Sequence, residues 1–227
     1  IIAEHRPFVG RVGENTVVDG MSVTWAGNAV RIDNLSYHWA IEDIGGDAAV
    51  VLGGRLEHPA VDAAAVPVSL KKALPREAGL GIRYSGFKLS AMWEALSDPQ
   101  MTRQALTTKD FHTDRILPEG KVRMDFDDTY FRSEHYDVTI SGGMDMPVKD
   151  GGRPYSADIS VTAKNFDKTI KFLQDLARED PGFGQISFTA MMMKGLGKAQ
   201  PDGSVTWHVE SDASGKVKVN GQPMPGR

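Results

Sequence analysis

The stretch YSADISVTAKNFDKTIKFLQDLARED, residues 155–180, contains both of the periodicities that decide the fold. Apolar residues occupy every second position from Tyr155 to Ala163, a pattern typical of a strand with one covered and one wet face. After Asn165 the apolar spacing changes to three and four residues, at Phe166, Ile170, Leu173, Leu176 and Ala177. This spacing predicts an amphipathic helix near Phe166 to Arg178, capped by the Asn165 side chain and ended by Asp180-Pro181-Gly182.

Near the start of the chain, the pattern predicts a β-hairpin. Apolar and polar residues alternate from Met21, and Gly27-Asn28 supplies a tight turn. A second apolar series then continues to Trp39. The step from Ile32 to Leu35 is three residues rather than two. This step predicts a bulge near Asp33-Asn34, because an extra residue changes which face points inward.

The same alternation predicts further strands elsewhere in the chain. They cover Ala48–Leu52, Val66–Leu70, Val122–Phe126, Tyr136–Ile140, Ile186–Met193, Val205–Val209 and Lys216–Val219. A second helix is predicted near Phe87 to Ser97, where apolar residues fall at helical spacing. The predicted fold is therefore α+β: a β-rich, mainly antiparallel sheet with two or three amphipathic helices packed on it. We expect residues 1–227 to form a single elongated domain; two pseudo-repeats dividing near 107–120 are the alternative.

Composition limits the classes of function. A net charge of −4 with scattered lysines offers no basic stripe to a phosphate backbone, so no nucleic-acid partner is predicted. Cysteine is absent and the six histidines show no His-x-His or His-x-x-x-His spacing, so no metal site is predicted either. No segment approaches the roughly 20 apolar residues that span a bilayer. The chain starts at Ile1, and we expect a signal peptide or membrane anchor ahead of it.

Three short motifs resemble chemical sites without completing them. Gly79-Leu80-Gly81 begins like a dinucleotide loop, but Tyr84 stands where the third glycine belongs, which favours a turn. Gly195-Leu196-Gly197-Lys198 lacks the upstream glycine of a phosphate loop and is interpreted as a flexible strand end. Asp125-Phe126-Asp127-Asp128 lacks the glycine and the final acid of a calcium loop, which favours a solvated strand face over a casual ion site.

Catalysis is not predicted from the sequence. The Gly-x-Ser-x-Gly elbow is absent, and no motif indicates a cofactor. A Ser-His-acid site assembled from residues distant in sequence stays open as an alternative. The prediction is a protein that is not an enzyme and needs no cofactor.

The Met191-Met192-Met193 run indicates a candidate binding site. Thioether side chains are unbranched and polarisable, so they adapt to apolar ligands of variable shape. In a strand, Met191 and Met193 would share one face. The candidate site is an apolar groove lined by Phe188, Met191, Met193 and Trp207. Packing of the same residues in the protein's own core is the alternative.

Four motifs in about the last 65 residues carry a family resemblance. They are Lys164-Asn165-Phe166-Asp167-Lys168, Lys194-Gly195-Leu196-Gly197, the segment from Pro201 to Trp207, and the segment from Gly215 to Pro223. This arrangement resembles the C-terminal ends of AsmA-like proteins. It is more similar still to the uncharacterised periplasmic domains of alphaproteobacteria grouped with AsmA.

The resemblance implies a strongly curved sheet that offers an apolar trough to lipid tails in a periplasmic, cell-envelope protein. This chain is shorter than the large bridge-like members, which favours a shuttle or an adaptor over a bridge. One hypothesis is therefore a non-catalytic module that binds or transfers a lipid-like ligand. The other is a structural or accessory subunit of an envelope complex, which buries the same apolar surface against a membrane-complex protein.

Overall fold

The computed structural model describes residues 10–91, 116–148 and 156–224 of the chain. Within these ranges twelve strands form one sheet. The strands are β1 (Arg11–Trp25), β2 (Asn28–Glu42), β3 (Ala48–Glu57), β4 (Ala60–Asp62), β5 (Glu77–Phe87), β6 (Lys121–Arg132), β7 (Asp137–Pro147), β8 (Ser156–Lys164), β9 (Lys198–Ala199), β10 (Val205–Ser211), β11 (Val217–Val219) and β12 (Gln222–Pro223). Three helices lie wholly in these ranges: α1 (Val68–Ala73), α2 (Phe166–Glu179) and α3 (Phe183–Leu196).

The sheet is an open antiparallel meander. Its order is β1-β2-β3-β5-β6-β7-β8-β10-β11-β12, with β4 attached to β2 and β9 attached to β10. Every pairing is antiparallel, and β1 and β12 at the two edges do not pair with each other. The helical hairpin α2–α3 is inserted between β8 and β10, which are neighbours in the sheet. The chain is thus β-rich with a few helices, as predicted.

The predicted N-terminal hairpin is confirmed, with two corrections. Ala26 and Gly27 form the turn, with φ angles of 43° and 80°, one residue earlier than predicted. The bulge predicted at Asp33-Asn34 is wrong, because β1 and β2 keep one register from Arg11 to Trp25. The local irregularity lies instead on the partner strand at Gly20, where φ is 65°. Glycine reaches that backbone conformation without steric cost.

The pairing register gives the sheet one apolar face. Residues directly opposite each other in an antiparallel pair point to the same side. One row across eight strands consists of Trp39, Leu52, Ile82, Phe126, Gly142, Ile159, Val209 and Val219. A second row on this side consists of Leu35, Leu56, Ala78, Phe131, Val138, Ala163 and Val205. We call this side the apolar face.

The opposite side of the sheet, the polar face, carries ladders of charge. One row consists of Glu57, Glu77, Arg132, Asp137 and Lys164. Arg132 lies 3.6 Å from Glu77 and 3.5 Å from Asp137, and Arg55 lies 2.6 Å from Glu77. The hydroxyl of Tyr130 donates a hydrogen bond to Glu77 at 2.8 Å. This bond and the arginine charges hold the pKa of Glu77 below its ordinary value.

Residues Ile186–Met193, predicted to be a strand, form most of helix α3 instead. The prediction failed because apolar residues lie on nearly every side of this helix, so no contrast between faces reveals its period. Met, Ala and Leu are strong helix formers, and Pro181-Gly182 separates α3 from α2. The C-terminal region is therefore a helical hairpin followed by short strands.

Other predicted elements also change. Val66–Leu70 was predicted to be a strand, but Val68 begins helix α1 directly after Pro67, whose φ of −53° suits a helix start. The structure describes only the first part of the helix predicted near Phe87 to Ser97. Phe87 ends β5 and residues 89–91 are helical, while residues 92–97 lie outside the described ranges. Asn165 does precede α2, but it adopts a left-handed conformation and its side chain makes no capping hydrogen bond.

The glycine and aspartate motifs meet at a bulge in β6. Gly79-Leu80-Gly81 lies within strand β5 and is not a turn. Opposite it, β6 carries one extra residue between Phe126 and Thr129. A Cβ at Gly81 would lie 1.9 Å from the carbonyl oxygen of Asp127, so only glycine fits. Asp127 and Asp128 are exposed on this bulge, as predicted for a solvated strand face.

Two small clusters hold the buried residues around the helical hairpin. The first contains Ala163, Trp207 and Val219 of the apolar face, packed with Phe166 of α2 and Met193 of α3. The second contains Phe172, Leu176 and Phe183, packed with Ala73 of α1 and with Tyr136. The helical hairpin is thus fastened at both ends, and the candidate site lies against the first cluster.

Candidate functional site: an apolar groove beneath helix α3

A groove lies between helix α3 and the apolar face of β7, β8 and β10. Its volume is about 540 Å³. The sheet contributes Val138, Val161, Ala163, Trp207 and Val209 to its floor. Phe166 of α2 closes one side, and the wall formed by α3 and the turn before it consists of Gly182, Gln185, Ile186, Thr189, Ala190 and Met193. Period two in the strands and spacings of three and four in α3 direct these side chains into one space.

The C-terminal end of α3 is fixed to the sheet by Trp207. Its indole nitrogen donates a hydrogen bond to the carbonyl oxygen of Met193 at 2.6 Å. The Phe166 ring meets the indole edge-on, with 4.9 Å between ring centroids. The amide nitrogen of Asn220 donates to the carbonyl oxygen of Leu196 at 2.8 Å. Two carbonyl groups at the end of the helix, which have no partner within it, are satisfied in this way.

The opposite end of the hairpin is fixed to helix α1, because the Ser69 hydroxyl donates a hydrogen bond to Asp180, which lies between α2 and α3, at 3.1 Å. The Tyr136 hydroxyl donates to the carbonyl oxygen of Ala73 at 2.8 Å, and burial raises the pKa of this tyrosine. His135 stacks on Phe172 at 3.9 Å between ring centroids. Because both ends are held, α3 crosses the groove as a supported wall.

The groove is electrically neutral. None of the described residues that line it carries an ionisable side chain. Of its polar members, Thr189 already donates its hydroxyl to the carbonyl oxygen of Gln185 at 2.9 Å. Lys194 and Asp167 pair with each other at 2.5 Å beside Phe166, which also lines the groove. A neutral apolar space of this kind favours hydrocarbon and penalises an unpaired ion.

The apolar face continues beyond the groove with much less cover. Toward the β2 side, Tyr37 is 46% exposed, Leu52 is 42% exposed and Leu80 is 49% exposed. In the groove region, by contrast, Ala163 is 1% exposed and Trp207 is 4% exposed. The groove is therefore the covered end of a longer apolar surface.

The structure brings together two of the four residues predicted to form the site. Met193 and Trp207 both line the groove, while Phe188 and Met191 do not. Phe188 is 60% exposed and Met191 is 43% exposed, on other sides of α3. The prediction that Met191 and Met193 share a face is wrong, because two positions apart in a helix means a rotation of about 200°.

Several groove residues were missed, although the sequence contained a signal for them. The floor residues Val161 and Ala163 belong to the strict alternation that defined β8. Ile186, Ala190 and Met193 are four and then three residues apart, which is helical spacing. The apolar residues on the other sides of α3 mask this spacing, so the wall cannot be distinguished from the rest of the helix by sequence pattern.

A serine and a histidine are adjacent on the polar face, but their geometry differs from that of a catalytic triad. Ser160 Oγ lies 3.1 Å from Nδ1 of His208, and Asp158 lies 3.6 Å from that same nitrogen. A triad places its acid on the other ring nitrogen. There the nearest acid oxygen is on Glu210, at 3.9 Å. The polar face also points away from the groove, so this pair does not serve it.

The described part of the chain offers neither a metal site nor a membrane-spanning helix. Among the described residues, no group of three or more His, Cys, Asp and Glu could hold a metal ion. None of the helices placed in these ranges combines the length and apolar character that a bilayer crossing needs. Comparisons with protein-family models, curated proteins and solved structures found no match. The AsmA-like resemblance therefore stays a prediction.

Proposed function

We propose that this protein is a non-catalytic cell-envelope protein that binds or transfers a lipid-like ligand along its apolar face. The sheet curves around the ligand and the helices pack over it. The groove beneath α3 binds the most deeply buried part of the ligand. The supporting observation is the continuity of the face: apolar rows cross up to eight neighbouring strands, and a neutral groove of about 540 Å³ lies at one end.

The size and lining of the groove fit hydrocarbon. Small-molecule sites usually measure about 300–1,000 Å³ and are mostly apolar. Burial of hydrocarbon contributes about 0.8 kcal/mol per methylene, so about ten buried methylenes contribute about 8 kcal/mol against the freedom of motion lost on binding. Ile186 lines the groove while it is still 51% exposed, so a ligand reaches the groove from solvent.

The exposed end of the face supports an extended ligand. Large apolar patches left open on a soluble surface are typical of binding sites. An acyl chain seated beneath α3 would continue over Ile159 and Ile82 toward Leu52, because these residues share one row. The alternative function, an accessory subunit of a periplasmic envelope complex, would cover this same end with a protein partner.

The test uses two lysine substitutions on α3, one at a residue that lines the groove and one at a residue outside it. Ile186→Lys puts an ammonium group into the groove, and Met192→Lys puts the same group on a position that is 60% exposed and outside the groove. The measurement is the dissociation constant for a fluorescent fatty acid in solution, with melting temperature as the check on folding. We expect Ile186→Lys to weaken binding at least about tenfold, which corresponds to about 1.4 kcal/mol, and Met192→Lys to leave it unchanged.

Two outcomes would contradict the proposal. If the unmodified protein binds no fatty-acid probe, the apolar face does not serve lipid and the envelope-subunit hypothesis replaces the proposal. If both variants bind the probe as the unmodified protein does, the ligand does not occupy the groove.

A further inference from the structure

The two edges of the sheet are built differently. At one edge the strands become shorter, from seven residues in β10 to three in β11 and two in β12, which ends in Pro223. At the other edge β1 is 15 residues long and, among the described residues, pairs with β2 alone. Natural sheets protect their edges with short strands, proline or lysine, because a free edge pairs readily with another strand. Strand β1 contains neither proline nor lysine, so its long edge is open to pairing.

Two opposite charges stand at the ends of one regular segment of β1, residues 11–19. Arg11 and Asp19 both point to the polar face, because they are eight positions apart and lie opposite Glu42 and Asn34 of β2. Glu42 lies 3.2 Å from Arg11 and 2.6 Å from Arg83, so two cations share one carboxylate at this end. At the other end, Asp19 forms no salt bridge with the described residues and accepts a hydrogen bond from Asn34 at 2.6 Å. The segment therefore has a basic end and an acidic end.

Both charged side chains keep atoms that are free for a further partner. In the hydrogen bonds of the described residues, Arg11 uses only its Nε, toward Glu42. Asp19 uses only its Oδ1, toward Asn34. The side chain of Arg11 is 66% exposed, and Asp19 is exposed as well. The terminal nitrogens of Arg11 and the Oδ2 atom of Asp19 can therefore form a new ion pair without breaking these contacts.

Two copies of this segment complement each other in one antiparallel register. The register centred on Asn15 places the following residues opposite each other: Arg11 and Asp19, Val12 and Val18, Gly13 and Val17, Glu14 and Thr16, and Asn15 and its own copy. A register centred on Glu14 puts that carboxylate opposite its own copy, and one centred on Thr16 puts Arg11 opposite Met21. Opposite charges directly across a strand pair stabilise it, and like charges destabilise it. The charges therefore select the register centred on Asn15.

We propose that two copies of this chain pair edge to edge through residues 11–19 of β1, around a twofold axis at Asn15. Both Arg11–Asp19 ion pairs form. The backbone donors and acceptors that β1 directs away from β2 bond to those of the second copy, which gives a contact about 30 Å long at about 3.4 Å per residue. The contact is isologous, so it closes at two copies.

The same register continues the apolar face from one copy to the other. Val12 and Val18 stand on this face, opposite Ile41 and Leu35 of β2. In the dimer, Val18 of one copy lies opposite Val12 of the second, so an apolar row crosses the junction. The less covered ends of the two apolar faces then lie side by side. The dimer itself does not depend on the proposed function, because it is formed by strand edges and charges of the polar face.

Charge reversal tests the register. Arg11→Asp puts two carboxylates opposite each other at both ends of the junction, and Asp19→Arg does the same with two guanidinium groups. We expect each variant alone to raise the dissociation constant of the dimer at least about tenfold in analytical ultracentrifugation. An equimolar mixture of the two variants should associate again, because every contact then joins Asp to Arg. The melting temperature of each variant checks its folding.

Cysteine cross-linking tests the axis, and the chain suits it because it contains no cysteine. Asn15→Cys places two thiols opposite each other, within the roughly 7 Å between Cα atoms that a disulfide needs. The control is Val17→Cys, on the same side of the same strand, whose own copy lies about 14 Å away along the strands. With a mild oxidant, we expect the Asn15→Cys variant to form a covalent dimer and the Val17→Cys variant to stay a monomer on a non-reducing gel.

Three results would overturn this pairing. One is an unmodified chain that stays monomeric at every concentration that ultracentrifugation can measure. Another is a dimer that neither charge reversal weakens, or two variants that do not associate when they are mixed. The third is a covalent dimer that the Val17→Cys variant forms as readily as the Asn15→Cys variant, which would assign the contact to another register or to random collision. Failure to bind a fatty-acid probe would count against the proposed function and leave the dimer standing.

Discussion

The two ends of the apolar face have the same strand pattern but different cover. At the end beneath the helical hairpin, Ala163 is 1% exposed and Trp207 is 4% exposed. At the other end, Leu52 is 42% exposed and Leu80 is 49% exposed. Alternation makes both ends apolar, but only a second layer makes one of them a core. An apolar strand face therefore identifies a surface to be covered, without saying whether a helix, a ligand or a partner covers it.

The largest expected effect is at the centre of the covered end. Trp207→Ala removes the indole that packs with Phe166 and bonds to Met193, and we expect a loss of about 3–5 kcal/mol in the free energy of unfolding. Trp39→Ala, on the same face but 36% exposed, should cost about 1 kcal/mol or less. Urea denaturation of both variants measures the difference. Equal losses would show that the two ends are equally covered.

The second effect concerns which residues of α2 hold the hairpin. The sequence pattern assigned both Leu173 and Leu176 to the buried stripe. In the structure Leu176 is 2% exposed, whereas Leu173 is only partly buried and packs against the cluster that contains Leu176. We expect Leu176→Ala to cost about 2–5 kcal/mol and Leu173→Ala less than about 2 kcal/mol. Thermal unfolding of the pair would give the order. A larger loss for Leu173→Ala would show that Leu173, and not Leu176, is the more deeply buried of the two.

At the open end, polarity should change binding more than stability. Leu52→Gln combined with Leu80→Gln replaces two half-exposed side chains on the open face. We expect the free energy of unfolding to change by less than about 1 kcal/mol, while the fluorescence of a bound hydrophobic dye falls clearly. A matched pair on the polar face, Ser141→Gln with Thr139→Gln, should leave dye binding unchanged. If the open-face variant unfolds, that end is part of the core.

The smallest effect is the pH dependence of the polar face behind the open end. Tyr130 and the arginines lower the pKa of Glu77 in the folded protein, so its ionised form stabilises the fold. This contribution is complete above the ordinary carboxyl pKa of 4.5 and is lost as the pH falls below that value toward the folded-state pKa. Glu77→Gln should therefore reduce the acid sensitivity of the melting temperature. An unchanged pH profile would show that Glu77 does not contribute to the acid sensitivity of the fold.

The strands were largely predictable from the sequence, because apolar and polar residues alternate wherever one face of a strand is covered and the other is exposed to solvent. This alternation predicted the hairpin of β1 and β2 and the strands around Val122–Phe126 and Val205–Val209. Helix α2 was predicted from apolar spacings of three and four residues. Their register was beyond a pattern argument, since register depends on which residues meet across strands. The continuous apolar face became visible only after pairing was known.

Helix α3 shows why half of the site was missed. Its sequence, FGQISFTAMMMKGL, has apolar residues toward the groove, toward α2 and toward solvent. A helix with three apolar sides gives no polar stripe from which to detect a period of 3.6. The methionine run was predicted to contribute to an apolar groove, and of its three side chains only Met193 lines the groove beneath α3. Phe188 and Met191 belong to another surface.

The most direct measurement of the central claim is mass spectrometry of the native protein and of the lipid extracted from it. We expect the purified protein to carry acylated molecules, seen as discrete mass increments that Ile186→Lys removes and Met192→Lys preserves. Loading of lipid-free protein with a long-chain fatty acid should restore an increment in the unmodified protein and in Met192→Lys, but not in Ile186→Lys. A protein that carries no acylated molecule and acquires none on loading would contradict the account, and its apolar face would belong to a protein partner.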